Sequence, residues 1–156
     1  MYATASVVVE HTVKECREAI TEGPEHWFPR LVSKVGDRSD KHLAAVGFKV
    51  SGLPVRKHVE VSLGDPIVTG DWVTIPISWK PTFPASFFPV FDGRLKLVPH
   101  LDSHTRLTVS GTYEPPFDSI GRTLDEVGLH TAAEATLAEL AESIATAVNR
   151  MLSTVG

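Results

Sequence analysis

Hydrophobic and polar residues alternate with a period of two over much of the chain, which is the pattern of half-buried β-strands. The predicted strands are residues 3–10, 43–51, 55–63, 73–79, about 94–97 and 106–113. Gly52 separates the second and third of these and predicts a hairpin. Pro76 indicates a strand at a sheet edge, because proline cannot donate to a ladder of hydrogen bonds. The polar stretch 34–42 is typical of a surface loop.

Two short helices are predicted directly after the first strand. Thr12 and Glu15 have the spacing of a capping box, which predicts a helix over residues 13–22. Pro24 suits the first position of a second helix, of one or two turns around residues 25–28.

The last quarter of the chain changes from a period of two to a helical period. Pro115 and Pro116 end the strand pattern, and polar caps near Asp118 or at Thr123 begin a helix that runs to about Leu152. Its apolar stripe steps by three and four residues and comprises His130, Ala133, Leu137, Leu140, Ile144, Val148 and Leu152. One side of this helix must therefore cover the sheet.

The composition narrows the class of protein. With 156 residues, 42% of them hydrophobic and 22% charged, residues 1–156 are expected to form a single globular, soluble domain. A formal charge of −4 argues against nucleic acid as a partner, because phosphate binding needs a concentrated basic surface. Cys16 is the only cysteine, the N-terminus lacks the pattern of a signal peptide, and no apolar run is long enough for a transmembrane segment. We therefore expect a cytoplasmic protein.

The order of elements resembles the START-related (SRPBCC) superfamily of lipid-transfer, polyketide cyclase and pathogenesis-related proteins. The features that carry it are the opening strand, the helix start at Thr12, the hairpin around Gly52, the two prolines and the long C-terminal helix. It implies an α+β helix-grip fold, with a curved antiparallel sheet of six or seven strands wrapped around that helix. Asp92 and Gly93 depart from this pattern. They indicate a hairpin turn, or a bulge, at a place where proteins of this superfamily have one long strand. Pro29 is a second departure, because it shortens the second helix.

The resemblance also implies a cavity between sheet and helix for an apolar or amphipathic small molecule, such as a lipid, a polyketide or an aromatic compound. His130 lies on the apolar stripe, where it is either a polar contact for a ligand or a hydrogen-bonded core histidine. Trp27, Trp79 and Tyr113 either line the cavity or are part of an ordinary hydrophobic core. The expected ligand-binding residues are Trp27, Trp79, Phe87, Phe91, Tyr113, Val127, His130 and Leu137. No cofactor is expected, and no residue is nominated as catalytic.

Two other groups of residues have the chemistry of a site but are more simply structural. His100, Asp102 and His104 offer metal-ligand types, yet they lie in a hairpin connection where aspartate serves turn geometry, so no metal is expected. Cys16 near His11 suggests a thiol and its base, but a small buried helix residue is the simpler interpretation.

Two surface features are also open to interpretation. Arg56, His58 and Glu60 share one strand face, and the alternating valines favour solvent on that face. Residues 81–91 hold four phenylalanines, three prolines and no charged residue. This segment is either an apolar lip at the cavity entrance, a subunit contact that would make a homodimer, or part of the core.

Three functions remain open from the sequence. A binding or carrier protein is favoured, because catalysis requires at least two converging polar groups and only His130 is nominated. The alternative is an enzyme of the cyclase or aromatase kind that uses the same cavity. A third is a regulatory module that docks on another protein through residues 81–91.

Overall fold

Eight antiparallel strands and three helices make up the part of the chain that the computed structural model describes, residues 2–28, 31–34, 41–50, 53–81, 90–114 and 126–153. In chain order they are β1 (Tyr2–Val9), α1 (Val13–Thr21), α2 (Pro24–Trp27), β2 (Leu31–Lys34), β3 (Lys41–Val50), β4 (Leu53–Leu63), β5 (Ile67–Thr69), β6 (Trp72–Pro81), β7 (Val90–His100), β8 (His104–Glu114) and α3 (Glu126–Ser153). All strands belong to one sheet in the order β1-β8-β7-β6-β4-β3-β2, and β5 pairs with β6. The predicted α+β helix-grip fold is confirmed, with seven strands on the main path.

The capping box predicted at the start of α1 is present. The Thr12 hydroxyl accepts from the Glu15 amide at 3.2 Å, and the Glu15 carboxylate accepts from the Thr12 amide at 3.2 Å. Pro24 occupies the first turn of α2 as expected. The Trp27 indole then donates to the Ile20 carbonyl at 3.0 Å, which fastens α2 to the end of α1.

The stretch 34–42, predicted as a surface loop, is strand at its two ends. Lys34 ends β2 and pairs with His42, and Lys41 begins β3. Residues 35–40 lie outside the described residues. The polar composition misled the prediction at these end residues, because charged residues also occupy strands near a sheet edge. The strand β5 was not predicted either, since its three residues are too short for an alternating pattern to register.

The prediction that Pro76 marks an edge strand is wrong. β6 lies inside the sheet, with β7 on one side and β4 and β5 on the other. The Pro76 carbonyl accepts from the Gly64 amide at 2.9 Å, just where pairing with β4 ends and before pairing with β5 begins. The N–H and C=O groups of one residue in a strand point toward the same neighbouring strand. The N–H that Pro76 lacks would therefore point into the gap between β4 and β5, and no hydrogen bond to β7 is lost.

Asp92 and Gly93 form neither the hairpin nor the bulge that their sequence suggests. β7 runs through both residues in regular register, with Gly93 opposite Gly111 of β8. A Cβ atom on Gly93 would lie 2.2 Å from the Ser110 carbonyl oxygen, and one on Gly111 would lie 2.4 Å from Gly93 Cα. Glycine is therefore required here by the close approach of two backbones and not by a turn.

Helix α3 covers the sheet through its predicted apolar stripe. It packs against β1, β3 and β8, and it buries five residues of that stripe: Ala133, Leu137, Leu140, Ile144 and Val148. The predicted caps at Asp118 and Thr123, and the two prolines before them, lie outside the described residues. Within the described ranges, no helix is both long enough and apolar enough to cross a membrane.

Candidate functional site

The inner face of the sheet carries three aromatic side chains side by side, one from each of three adjacent strands. Trp79 of β6 pairs with Phe91 of β7, and Phe91 pairs with Tyr113 of β8. All three are buried, because inward positions alternate along each strand and these fall on the same side as Ile77 and Val109. We call these three residues the aromatic row.

Phe91 is fixed by Trp79 in this row and by the glycine two residues further along its own strand. Its ring stacks on Trp79, with centroids 4.4 Å apart and planes at 25°. Its Cζ atom lies 2.5 Å from the place where a Gly93 side chain would begin. The next inward positions on β7, β8 and β1 are Gly93, Gly111 and Ala3, all small. The ring therefore fills space that the glycines leave open, and the glycines set its position.

The indole nitrogen of Trp79 is a buried hydrogen-bond donor with no acceptor in the described part of the chain. Trp79 is only 4% exposed, and its Nε1 atom has no partner. Trp27 provides the contrast, since its Nε1 donates to a backbone carbonyl. A buried donor without an acceptor costs about 1–3 kcal/mol of stability, so such groups are rare in native proteins and one that is present calls for an explanation.

Tyr113 adds a second polar group at the other end of the aromatic row. Burial, and to a smaller extent the negative charge of Glu134 on α3, raise the pKa of the Tyr113 phenol to about 12. The phenol is therefore neutral near pH 7 and keeps its proton. Both ends of the row thus carry an N–H or O–H group, while its middle is the apolar ring of Phe91.

The other predicted ligand-binding residues fall in different places. Leu137 is buried in α3 and belongs to the same core as the aromatic row. Val127 and His130 lie on the first turns of α3, but their side chains are outside the described set, as is all of Phe87. Trp27 lines a separate cavity of about 250 Å³ at the α1–α2 junction, together with Leu63 and Ile75.

The apolar segment 81–91 is divided by the structure. Residues 82–89, with Phe83, Phe87 and Phe88, lie outside the described residues. Phe91 is part of β7 and is buried, so it does not contribute to an exposed lip. Phe91 has the same inward position in the alternating pattern as Leu95 and Leu97, and this could be seen in the sequence. The neighbouring phenylalanines led to its assignment to the apolar segment instead.

The three residues of the His-x-Asp-x-His segment serve the β7–β8 turn. The His104 ring contacts the Asp102 carbonyl oxygen at 2.6 Å, and the His100 ring lies 3.4 Å from the Arg106 guanidinium. Among the residues that the structure describes, no three His, Cys, Asp or Glu side chains are grouped so that they could hold a metal ion.

Cys16 is fully buried in α1, and burial raises the pKa of its thiol. A raised pKa disfavours the thiolate, which is the nucleophilic form. The ring of His11 lies 3.4 Å from the Glu15 carboxylate, within the capping box of the same helix. Cys16 therefore behaves as the small buried residue that the sequence favoured.

The charged row on β4 is described only at Glu60. The Glu60 carboxylate lies 3.5 Å from the Lys80 ammonium group, and its neighbours Val59 and Val61 are buried on the other face. Glu60 is thus on the outer face, as expected. The side chains of Arg56 and His58 lie outside the described set.

The sequence missed the pairing of Gly93 with Gly111, which shapes the inner face. Each glycine was visible within a strand pattern, and an isolated glycine in a strand suggests a close backbone approach. That the two face each other depends on the register of β7 and β8, which the sequence does not state.

Comparison with known proteins shows similarity at the level of the fold only. No family model and no curated protein matches the chain. Among solved structures, a conserved protein from Geobacillus kaustophilus aligns with a TM-score of 0.65 and 14% identity, covering 96% of each chain. The Zhui aromatase/cyclase from Streptomyces sp. R1128 aligns with a TM-score of 0.58 and 13% identity, covering 98% of this chain and 93% of its own.

A START superfamily protein from Mycobacterium smegmatis aligns over 99% of both chains, with a TM-score of 0.54 and 14% identity. At these identities the likeness is one of fold, and it extends over nearly the whole chain. The chain has the START-related helix-grip fold.

Proposed function

We propose that this protein binds an apolar or amphipathic small molecule between the inner face of the sheet and α3, with the aromatic row as one wall of the site. The fold supports the proposal, because similar structures include an aromatase/cyclase and a START superfamily protein. Ligand sites are typically apolar with a few placed polar groups, which is the composition of the aromatic row.

The observation that carries the proposal is the buried Nε1 of Trp79, which has no acceptor among the residues that the structure describes. A ligand with a carbonyl, ether or hydroxyl oxygen at this point would accept its hydrogen bond and remove the cost of leaving it unmade. That gain is about 1–3 kcal/mol, which corresponds to a preference of about fivefold to 150-fold over a ligand without the oxygen. The stacked rings of Trp79 and Phe91 favour a planar or aromatic ligand body.

Tyr113 favours binding over proton transfer as the use of this site. Because its pKa is raised to about 12, the phenol is poorly suited to take a proton near pH 7 and well suited to donate a hydrogen bond. A cyclase or aromatase that uses the same wall remains the alternative. It would require an acid or base from residues such as His130.

The proposal is tested with two ligands of one shape that differ in a single oxygen. Fluorenone has a carbonyl where fluorene has a methylene group. We expect the protein to bind fluorenone about tenfold more tightly, measured by isothermal titration or by fluorescence quenching. Trp79→Phe should bring the two affinities together, whereas Trp72→Phe, which changes a half-exposed tryptophan, should leave the preference intact.

A broader search accompanies this comparison. Native mass spectrometry should detect a co-purified ligand, and a panel of fatty acids, sterols, flavonoids and polycyclic aromatics should contain a compound that raises Tm. A ligand at a hundred times its Kd adds about 2.7 kcal/mol of stability, or roughly 5 to 11 °C for a domain of this size. If every compound shifts Tm by less than a degree and no bound species is seen, the proposal fails and docking on a protein becomes the leading function.

A further inference from the structure

A groove of about 410 Å³ lies at the opposite end of the sheet from the aromatic row. The first turns of α1 form one side, and the β5–β6 and β7–β8 connections form the other. Val73 contributes to it from the start of β6, whereas Trp79 lies near the end of the same strand. The groove is therefore separate from the site proposed above, and its volume is within the usual range for small-molecule sites.

Two cationic side chains border this groove from α1. Lys14 and Arg17 are three residues apart on the helix, a spacing that places them on neighbouring positions of one helix surface. Within the part of the chain that the structure describes, neither has a carboxylate within 4.0 Å. Among the described residues that line the groove, Asp71 is the only acidic one, so this lining carries a net positive charge in a protein of net charge −4.

The rest of the lining is largely apolar, and part of it is held at a conformational cost. Val13, Val68 and Leu101 face the groove. Leu101 is 80% exposed and has a φ of 51°, in the left-handed region that disfavours bulky residues. A glycine or asparagine would suit this turn position better. The protein thus keeps an exposed leucine at the rim where its own stability would favour another residue.

We propose that this groove binds an amphipathic anion, whose charged head lies between Lys14 and Arg17 and whose apolar body lies against Val68 and Leu101. A medium-chain carboxylate has this chemistry. The two cations donate charge-assisted hydrogen bonds to the head. The apolar body buries the side chain of Leu101, which is otherwise exposed to solvent. The inference does not depend on the ligand of the aromatic row.

The test uses decanoate below its micellar concentration and follows backbone amides by ¹H–¹⁵N NMR. Saturable shifts should appear at residues 12–17, 68–73 and 101–104. The double variant Lys14→Gln, Arg17→Gln should weaken binding by at least about tenfold, which corresponds to about 1.4 kcal/mol. The control Arg94→Gln, which removes an exposed cation of β7 from the outer face, should leave the affinity unchanged. Decanol, which lacks the charge, should bind at least about tenfold more weakly than decanoate.

Leu101→Gly separates binding from folding. Because its φ suits glycine, this variant should melt at the same temperature as the wild type or higher, yet bind decanoate several-fold more weakly. Trp79→Phe should not affect these shifts, so failure here is distinguishable from failure at the aromatic row. The proposal is overturned if the double variant binds like the wild type, if decanol binds as well as decanoate, or if the shifts map to the aromatic row. Binding only to vesicles of phosphatidylcholine and phosphatidylglycerol, and not to free decanoate, would also overturn it.

Discussion

Replacing Gly93 by alanine should destabilise the protein and displace the aromatic row. The added Cβ would lie 2.2 Å from the Ser110 carbonyl oxygen and 2.9 Å from Gly111 Cα, which are backbone atoms that cannot rotate away. It would also lie 2.5 Å from Phe91 Cζ. Overpacking in a buried region costs about 1–3 kcal/mol, and we expect the upper end because the strands themselves must separate. The reduced backbone entropy of alanine in the unfolded chain offsets only about 0.4–1 kcal/mol.

Gly70→Ala is the matched control for this substitution. Gly70 has a φ of +60° and no atom within 4 Å of its Cβ position, so alanine there introduces conformational strain without a clash. That strain costs about 1–2 kcal/mol. Gly93→Ala should therefore lower Tm more than Gly70→Ala, and only Gly93→Ala should alter the near-ultraviolet circular dichroism of the stacked Trp79 and Phe91 rings.

Chemical denaturation and thermal melts, with the near-ultraviolet spectrum of each folded variant, provide the measurements. A loss of about 3 kcal/mol corresponds to roughly 6–12 °C in Tm for a domain of this length. If Gly93→Ala melts at or above the temperature of Gly70→Ala, or leaves the aromatic spectrum unchanged, the close approach of β7 and β8 does not hold in solution.

Two further outcomes are expected from the core. Leu140→Ala, in the buried stripe of α3, should cost about 2–5 kcal/mol in denaturant melts, whereas exposed Glu142→Ala should cost less than about 0.5 kcal/mol. Equal losses would mean that the stripe does not cover the sheet. The raised pKa of Tyr113 predicts that stability falls as pH rises from about 10 to about 12, because the unfolded chain loses the phenolic proton first. Tyr113→Phe should remove this part of the alkaline loss in stability measured against pH, and an unchanged profile would contradict the buried phenol.

Local patterns were enough to predict most elements of the fold. The capping box at Thr12 and Glu15 determines where α1 begins, because both hydrogen bonds form within four residues. The alternation of residues 55–63 predicted which face of β4 is buried, and the burial of Val59, Val61 and Leu63 agrees with it, since the side-chain period of a strand is fixed. The apolar stripe of α3 likewise identified Leu137, Leu140 and Ile144 as buried.

The wrong predictions concern residues that are compatible with two structural positions, and only the order and register of the strands distinguish the two. Pro76 reads as an edge residue by itself, but a gap between β4 and β5 makes an inner position acceptable. Asp92 and Gly93 read as a turn, but the facing Gly111 makes Gly93 part of a continuous strand. In both cases the deciding neighbours lie on other strands, and the alternating pattern of the strand itself does not reveal them.

The sequence by itself determined the type of most elements and their amphipathic character, because those depend on local spacing and on the burial of apolar surface. The class of fold followed from the resemblance of the element order to the START-related superfamily. Only the tertiary structure brought Trp79, Phe91 and Tyr113 into one row and left the indole nitrogen of Trp79 without an acceptor in the described ranges of the chain. Only the tertiary structure placed Lys14 across a groove from Leu101. Register, strand order and the unmet hydrogen bond of a buried group depend on contacts between distant segments, and no local pattern of residues encodes them.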